Sequence, residues 1–404
     1  MKLLFAEGPA AGGSPESVAL LAEALRARGH TVTQVGGGPW NGSERGWTGP
    51  GWWLRGIKLL GHHLNLGTDL IHAQDRRWAV PALIAARRGG IPAVLTLRDT
   101  GLLCPIATCF LWEGPERPAN CGQLRLWTRC APWYARAYGF APIHGQTPWR
   151  LKARLAVRYA LLRVEQRAVA RFDRVIVPSV GLLKEYFDEV PVATVIPSPV
   201  RPVPPHRCVQ QLHPPLILFI GKPSLGKGYR DFEDSARLLL REAGPAPLDS
   251  GMALFRWYHT RPEFAHVGPK PDPAMEDDPV EHVGIKDREG VEEWLCAASL
   301  VVVPSRIPDA LPRVALEAMA HGRFLVVSDR GGLPECVKSG VTGLVVPAGQ
   351  PQKLAEAIAQ ALADPDGRAR GGEWARRLAK ERFSPEGVAE ANESVYMRVL
   401  QDVK

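Results

Sequence analysis

Short uninterrupted apolar runs alternate with segments whose apolar residues recur every third or fourth position, along nearly the whole 404-residue chain. Leu3 to Ala6 is apolar throughout and stops at the Gly/Pro/Ala-rich stretch from Glu7 to Gly13, which predicts a buried first strand and then a loop. A helix is expected next, with Ser14 as N-cap, Pro15 at the first position, Glu16 and Glu23 in the body, and Val18, Leu21 and Leu25 on one face. Gly29 ends it, and Thr31 to Val35 returns as a strand. Asp69 to His72, Ala93 to Leu97 and Arg174 to Val177 continue the series. Strands alternating with helices in this way predict an α/β protein with parallel sheets and helical crossovers.

The rhythm breaks between Pro197 and Pro215, where Pro199, Pro202, Pro204, Pro205 and Pro214 also fall. Such a stretch fits neither a helix nor a central strand and predicts a stiff linker. The pattern restarts at Leu216 to Ile220, followed by a glycine-rich turn. Three parts are therefore expected: residues 1–205, residues 206–383, and a terminal helix over 384–404 that packs on either half, a return to the first being one arrangement. No short-period repeat is present.

Composition narrows the class rather than the function. Hydrophobic residues at 45% and charged residues at 23% suit a globular chain with an ample core. A net charge of +8 favours anionic partners such as sugar nucleotides or phospholipid headgroups; no nucleic-acid-binding motif accompanies it. The opening run from Met1 to Ala6 is too short for a secretion signal, and no segment reaches the roughly 20 apolar residues of a membrane span. A cytoplasmic protein, peripheral at most at the inner membrane face, is expected. Seven cysteines without an export signal argue against a disulfide framework.

The densest chemistry lies between Leu300 and Ala320. An apolar strand ends at Pro304, a loop carries Asp309, and a helix opens near Pro312, with Glu317 about one and a half turns in. Helix-start N–H groups and the positive dipole end make a seat for a diphosphate. Carboxylates on either side accept hydroxyl hydrogens from polyols such as a sugar and a ribose. Taken alone, two acids eight apart are equally a turn residue and an exposed helix charge.

This block resembles the E-x7-E segment of the retaining nucleotide-sugar glycosyltransferases of the GT-B fold, particularly glycosyltransferase family 4. The similarity continues through Gly322, the run Ser328 to Glu335 with its Gly331-Gly332-Leu333-Pro334-Glu335, and Gly340 to Pro347. It implies that Asp309, standing where Glu is usual, contacts the transferred sugar. Glu317 then contacts the nucleotide ribose, and Ala310, Leu311, Pro312, Arg313 and Val314 line the donor seat. Gly221-Lys222 and Gly226-Lys227-Gly228 resemble the first strand and loop of the donor domain, where Lys222 and Lys227 clamp the diphosphate and neutralise the charged leaving group. Glu281 to Ile285 resembles the turn facing the base, through Gly284 and Ile285.

In the first half, Gly12-Gly13 resembles the glycine-rich loop approaching the donor phosphates and acceptor. Thr96-Leu97-Arg98-Asp99 stands at the family's Thr-x-His-Asp. Arg98 in place of His can stabilise phosphate charge but cannot shuttle a proton at neutral pH. Ser198-Pro199 stands where relatives carry Asn-Gly or Asn-Pro.

The resemblance implies two Rossmann-like domains facing a central cleft, the second holding a nucleotide-diphosphate sugar as co-substrate, with no further cofactor and no metal. It implies transfer with retention to a saccharide, lipid-linked sugar or small-molecule acceptor. No paired carboxylates of glycosidase type are evident, and Asp364-Pro365-Asp366 follows a helix rather than a strand. Two rivals are a sugar-nucleotide epimerase or phosphorylase on the same scaffold, and a weakened or non-catalytic accessory protein, motivated by Arg98, Asp309 and Ser198.

Three further features stand apart. Cys104, Cys109, Cys121 and Cys130 share a loop-rich insertion over about 100–135; four thiolates bind zinc, but these spacings differ from a compact knuckle and also suit ordinary thiols. Trp40, Trp47, Trp52 and Trp53, followed by Arg55 and Lys58, suit sugar stacking or a membrane interface. The Arg-rich helix over Trp149 to Arg171 fits an anionic surface, or else a solvated face on a core-packed helix. His72 either lines the cleft or is a buried, satisfied histidine, as are His62 and His63.

Overall fold

The computed structural model describes residues 1–8, 14–36, 49–104, 124, 126–130, 148–186, 193–204, 208, 214–242, 262–269 and 279–402. Gly12, Gly13, Trp40, Trp47, Cys109 and Cys121 lie outside them. The chain divides into two compact units: Met1–Pro199 with Pro385–Lys404, and Val200–Ser384.

In the first unit the order is β1 (Lys2–Glu7), α1 (Ser14–Ala27), β2 (Thr31–Gly36), α2 (Pro50–Leu64), β3 (Leu70–Ala73), α3 (Ala79–Gly89), β4 (Ala93–Thr96), α4 (Pro148–Val169), β5 (Arg174–Val177), α5 (Val180–Tyr186) and β6 (Ala193–Val195). The second unit contributes β7 (Leu216–Ile220), α6 (Tyr229–Glu242), β8 (Glu263–Val267), β9 (Glu281–Gly284), α7 (Arg288–Ala297), β10 (Leu300–Val303), α8 (Arg313–Ala320), β11 (Phe324–Ser328), β12 (Gly343–Val346), α9 (Pro351–Ala363) and α10 (Pro365–Phe383). The chain ends in α11 (Pro385–Asp402), whose Val388, Ala389, Val395, Tyr396 and Val399 enter the first unit's core beside Leu3, Phe5, Leu21 and Leu25. Arg28 and His30 also hold Glu393 of this helix, at 2.6 and 3.0 Å.

Both sheets are six-stranded with parallel pairings, ordered β2-β1-β3-β4-β5-β6 and β12-β11-β10-β7-β8-β9. Continuous apolar strands result because each sheet is covered on both faces. In the second unit Leu216, Leu218, Val301, Val303, Leu325 and Val327 pack against Ala315, Met319 and Phe383. The alternate residues Ile217, Phe219, Leu300, Val302, Phe324 and Val326 pack against Phe232, Leu354 and Ile358. That period-two division is what a strand buried on both sides requires.

Each sheet reverses its strand order once, between β1 and β3 and between β7 and β10. In open α/β sheets such reversals splay the loops at the carboxyl ends of the two strands and leave a crevice where ligands bind.

Three expectations need correction. Pro312 is the N-cap of α8, not its first residue, with φ −62° and ψ 127°. Trp52 is no stacking platform: α2 carries it inward, its Nε1 donates to the Arg77 carbonyl at 3.1 Å, and its ring meets Trp78 edge-on. Cys208 and Cys296 form a disulfide despite the odd cysteine count, with Cα atoms 4.8 Å apart. A sequence separation of 88 residues hid that pair from any local spacing rule.

On α4, Leu155, Leu162, Ala168 and Val169 are buried, so the helix is core-packed. Its Arg158 turns to the buried Glu165 at 2.9 Å, and Arg76 meets the same carboxylate at 3.3 Å. Among the described residues no helix is long and apolar enough to cross a membrane.

Candidate functional site

The reversal between β7 and β10 carries the first cluster. After β7, Gly221 takes φ 145° and Lys222 is exposed. Ser224 then starts a short turn over Leu225–Lys227, its hydroxyl accepting from the Lys227 N–H at 3.4 Å. Gly228 closes the turn at φ 69°, and a Cβ there would lie 1.9 Å from the Pro304 carbonyl oxygen, so only glycine lets the two loops approach. The Gly226 carbonyl accepts from the Arg306 N–H at 2.8 Å, stitching the same loops together. Arg306 itself is anchored by both oxygens of the buried Asp231; that hydrogen bond, more than the opposing burial, holds its pKa above the usual value.

This stitching delivers Lys227 to Asp309: Nζ to Oδ1 is 2.6 Å, while Ser305 Oγ donates to Oδ2 at 2.5 Å. The Asp309 backbone is fixed from behind by the glycine pair, since Gly332 N–H donates to its carbonyl at 2.8 Å. Gly331 sits at φ 54°, where a Cβ would come 2.1 Å from that same oxygen. Gly331 therefore lets the backbone crowd against Asp309.

Ala310 and Leu311 are buried and lead to the start of α8, where Pro312 supplies no side-chain cap. Glu317 pairs with Arg313 one turn earlier, Nη2 to Oε1 at 2.6 Å, and keeps 24% side-chain exposure. Lys227, Asp309 and Ser305 thus come together directly, Arg313 and Glu317 form a second pair on the adjoining helix, and Val314 follows half-buried.

Gly284 ends β9 at φ 85° and Ile285 is 78% exposed. Sequence reasoning missed the histidines beneath. His266 Nε2 lies 2.9 Å from the Gly221 carbonyl, which only accepts, so Nε2 carries the proton and Nδ1 accepts. His282 Nδ1, 3.1 Å away, is then the donor, and Tyr229 Oη lies 3.5 Å from its Nε2. This relay pins the Gly221 turn. The period-two pattern of β8 was its only sequence signal.

In the first unit Arg98 donates from Nη1 to Ser198 Oγ at 2.9 Å, from Nη2 to Gln74 Oε1 at 2.7 Å, and from Nε to the Gln74 carbonyl at 3.4 Å. The two departures from the family pattern, Arg98 and Ser198, therefore touch. Gln74 Nε2 donates to His72 Nδ1 at 3.0 Å, so Nδ1 accepts there and from Tyr396 Oη at 2.6 Å. His72 Nε2 then donates to Thr96 Oγ1 at 2.7 Å. Burial, and secondarily the Arg98 charge, lower the His72 pKa to about 3, fixing a neutral imidazole. His72 is the satisfied core histidine of the two readings. Burial raises the Glu7 pKa, opposed by Gln34 and by the charges of Arg26 and Arg98.

Cys104 is buried and Cys130 half-buried, while the other two cysteines of that insertion fall outside the described residues.

Against known proteins, residues 215–364 match the family model described as glycosyl transferases group 1. Residues 11–203 match that of glycosyltransferase family 4. An alpha-maltose-1-phosphate synthase of Mycolicibacterium smegmatis is 27% identical over 298 residues, covering 66% of this chain and 73% of the relative. Other curated relatives are matched over less than half of their own length. A sucrose-phosphate synthase from Thermosynechococcus elongatus superimposes with a TM-score of 0.67 at 19% identity, covering 100% of both chains. Anabaena HepE in complex with UDP gives 0.64 at 18%, covering 98% of this chain and 100% of that one. At these identities the structures speak for the fold alone, and the fold is GT-B: two Rossmann-like units on parallel sheets.

Proposed function

The chain belongs to the group 1 glycosyltransferases of family 4, and we propose that it moves a sugar from a nucleoside-diphosphate donor to an acceptor hydroxyl with retention, without a metal. The second unit is the donor side and the first the acceptor side. One observation carries this reading: the Lys227–Asp309 pair stands at the strand-order reversal of the second sheet, beside the start of α8.

Lys227 and Ser305 hold the Asp309 carboxylate. A donor diphosphate competes for Lys227 and sits against the N–H groups of α8, with Lys222 as second cation. Asp309 is then released to accept from a sugar hydroxyl, and Glu317 accepts from the ribose. As the sugar–phosphate bond breaks, negative charge grows on the departing oxygen, where Lys227 already stands. That oxygen takes the acceptor proton on the face it leaves, which gives retention. Arg98 is a fixed charge rather than a proton carrier, locked by Gln74 and Ser198. Catalysis comes from positioning and charge.

A structural neighbour, Anabaena HepE, solved with UDP and with UDP-glucose, makes uridine donors the first to test. Cytoplasmic residence, with peripheral contact at the inner membrane face for a lipid-linked acceptor, fits the soluble donor.

The test is a thermal-shift screen of nucleotide sugars on wild type and Glu317→Ala. One donor class raises the wild-type midpoint, and the variant loses most of that rise. Equal shifts in both proteins refute the ribose role of Glu317. Donor binding without turnover across saccharide and lipid-linked acceptors favours the accessory reading.

A further inference from the structure

At the other end of α8, three side chains from three segments meet. Cys208 precedes β7 in the chain, Cys296 lies near the end of α7, and His321 caps α8. One ligand atom from each falls within 4.8 Å of the others. His321 is 4% exposed, and its Nδ1 donates to the Glu317 carbonyl at 2.7 Å. That bond fixes the tautomer and leaves Nε2 with its lone pair, the orientation that metal-bound histidines adopt when a carbonyl holds their other nitrogen.

The surroundings hold the cluster in place. Cys208, His321, Arg323, Arg368, Arg376 and Glu373 line one cavity of about 150 Å³. Arg323 bonds the carbonyls of Cys208, Ala298 and His321 at 3.1, 2.9 and 3.0 Å.

We propose that, in the reduced protein, Cys208, Cys296 and His321 bind a thiophilic divalent cation of the zinc class, fastening the stretch that enters the second unit to the ends of α7 and α8. Two thiolates and one imidazole suit zinc over magnesium or calcium. Their two negative charges cancel those of the ion, so binding adds no net charge beside the arginines. The cavity leaves room for water as fourth ligand, and Glu373 stands in its lining. A dithiol reductant opens the Cys208–Cys296 bond, taking the oxidation into its own disulfide and leaving two thiols. The cation then displaces two protons. The site is separate from the donor cluster and does not depend on the transfer reading.

The test uses full-length protein treated with a dithiol reductant, desalted without oxygen and titrated with Co2+. One equivalent binds with a thiolate-to-cobalt charge-transfer band, and Zn2+ displaces it. Cys208→Ser and Cys296→Ser abolish the band; His321→Gln keeps it but weakens binding roughly tenfold or more. Independently of any variant, Zn2+ slows alkylation of Cys208 and Cys296 in wild type, read by peptide mass mapping. No band in protein shown by thiol titration to be reduced overturns the proposal, as does a band that survives Cys208→Ser. A Cys208–Cys296 bond that resists reductant overturns it too, making the pair a permanent staple.

Discussion

Each unit sets a cation past the carboxyl end of a strand, Arg98 after β4 and Lys227 after β7, yet the two are held in opposite ways. Arg98 is the end of a buried, neutral network running from Tyr396 through His72 and Gln74. Lys227 is 38% exposed and pairs with one carboxylate, that of Asp309, proposed above as a sugar contact. A cation fixed by neutral hydrogen bonds stays where it is when a ligand arrives; one held by an exchangeable ion pair can transfer its charge to a phosphate. On the proposed function, Lys227 is thus the responsive cation and Arg98 the fixed one.

The largest effect that would break this contrast is on turnover. Lys227→Ala should lower kcat by roughly 10²–10³-fold, as removal of a preorganised charge donor does. Because the pair is partly exposed, the unfolding midpoint should barely move, a change within about 1 kcal/mol. A large loss of stability with little loss of rate would make the pair structural.

Next comes acid stability of the first unit. His72 is neutral in the fold with its pKa lowered to about 3, below the usual 6.5, so the unfolded chain binds a proton that the fold excludes. Its contribution is complete above about pH 6.5 and disappears as the pH falls from there toward about 3. Urea unfolding across that window should show wild type losing a few kcal/mol more than His72→Gln. Parallel curves would remove His72 from the network.

The smallest effect is the coupling of Arg98 to Ser198. A double-mutant cycle of Arg98→Ala and Ser198→Ala on transfer should give an interaction of about 0.5–3 kcal/mol. Strict additivity would mean the bond between them does not position the guanidinium.

Much of the fold was legible because parallel strands buried on both faces are plain apolar runs: Leu216 to Ile220 and Arg174 to Val177 stand at the bounds their composition predicts. The turn glycines were legible as a motif, but their physical role was not. That Gly331 crowds the Asp309 backbone and Gly228 the Pro304 carbonyl appears only when the loops are brought together. Contacts between distant positions had no sequence signal at all. Arg98 and Ser198 are a hundred positions apart, and each looked like a separate weakening of the family pattern; in the fold they answer one another. The same distance concealed the Cys208–Cys296 bond, and the alternation of β8 gave His266 the look of any buried strand residue.

The most direct measurement is the structure of the protein with a nucleoside-diphosphate sugar bound. The account predicts the diphosphate at the amino end of α8, Lys227 turned from Asp309 to a phosphate oxygen, and Glu317 on the ribose. A diphosphate bound elsewhere, with the Lys227–Asp309 contact intact, would contradict it.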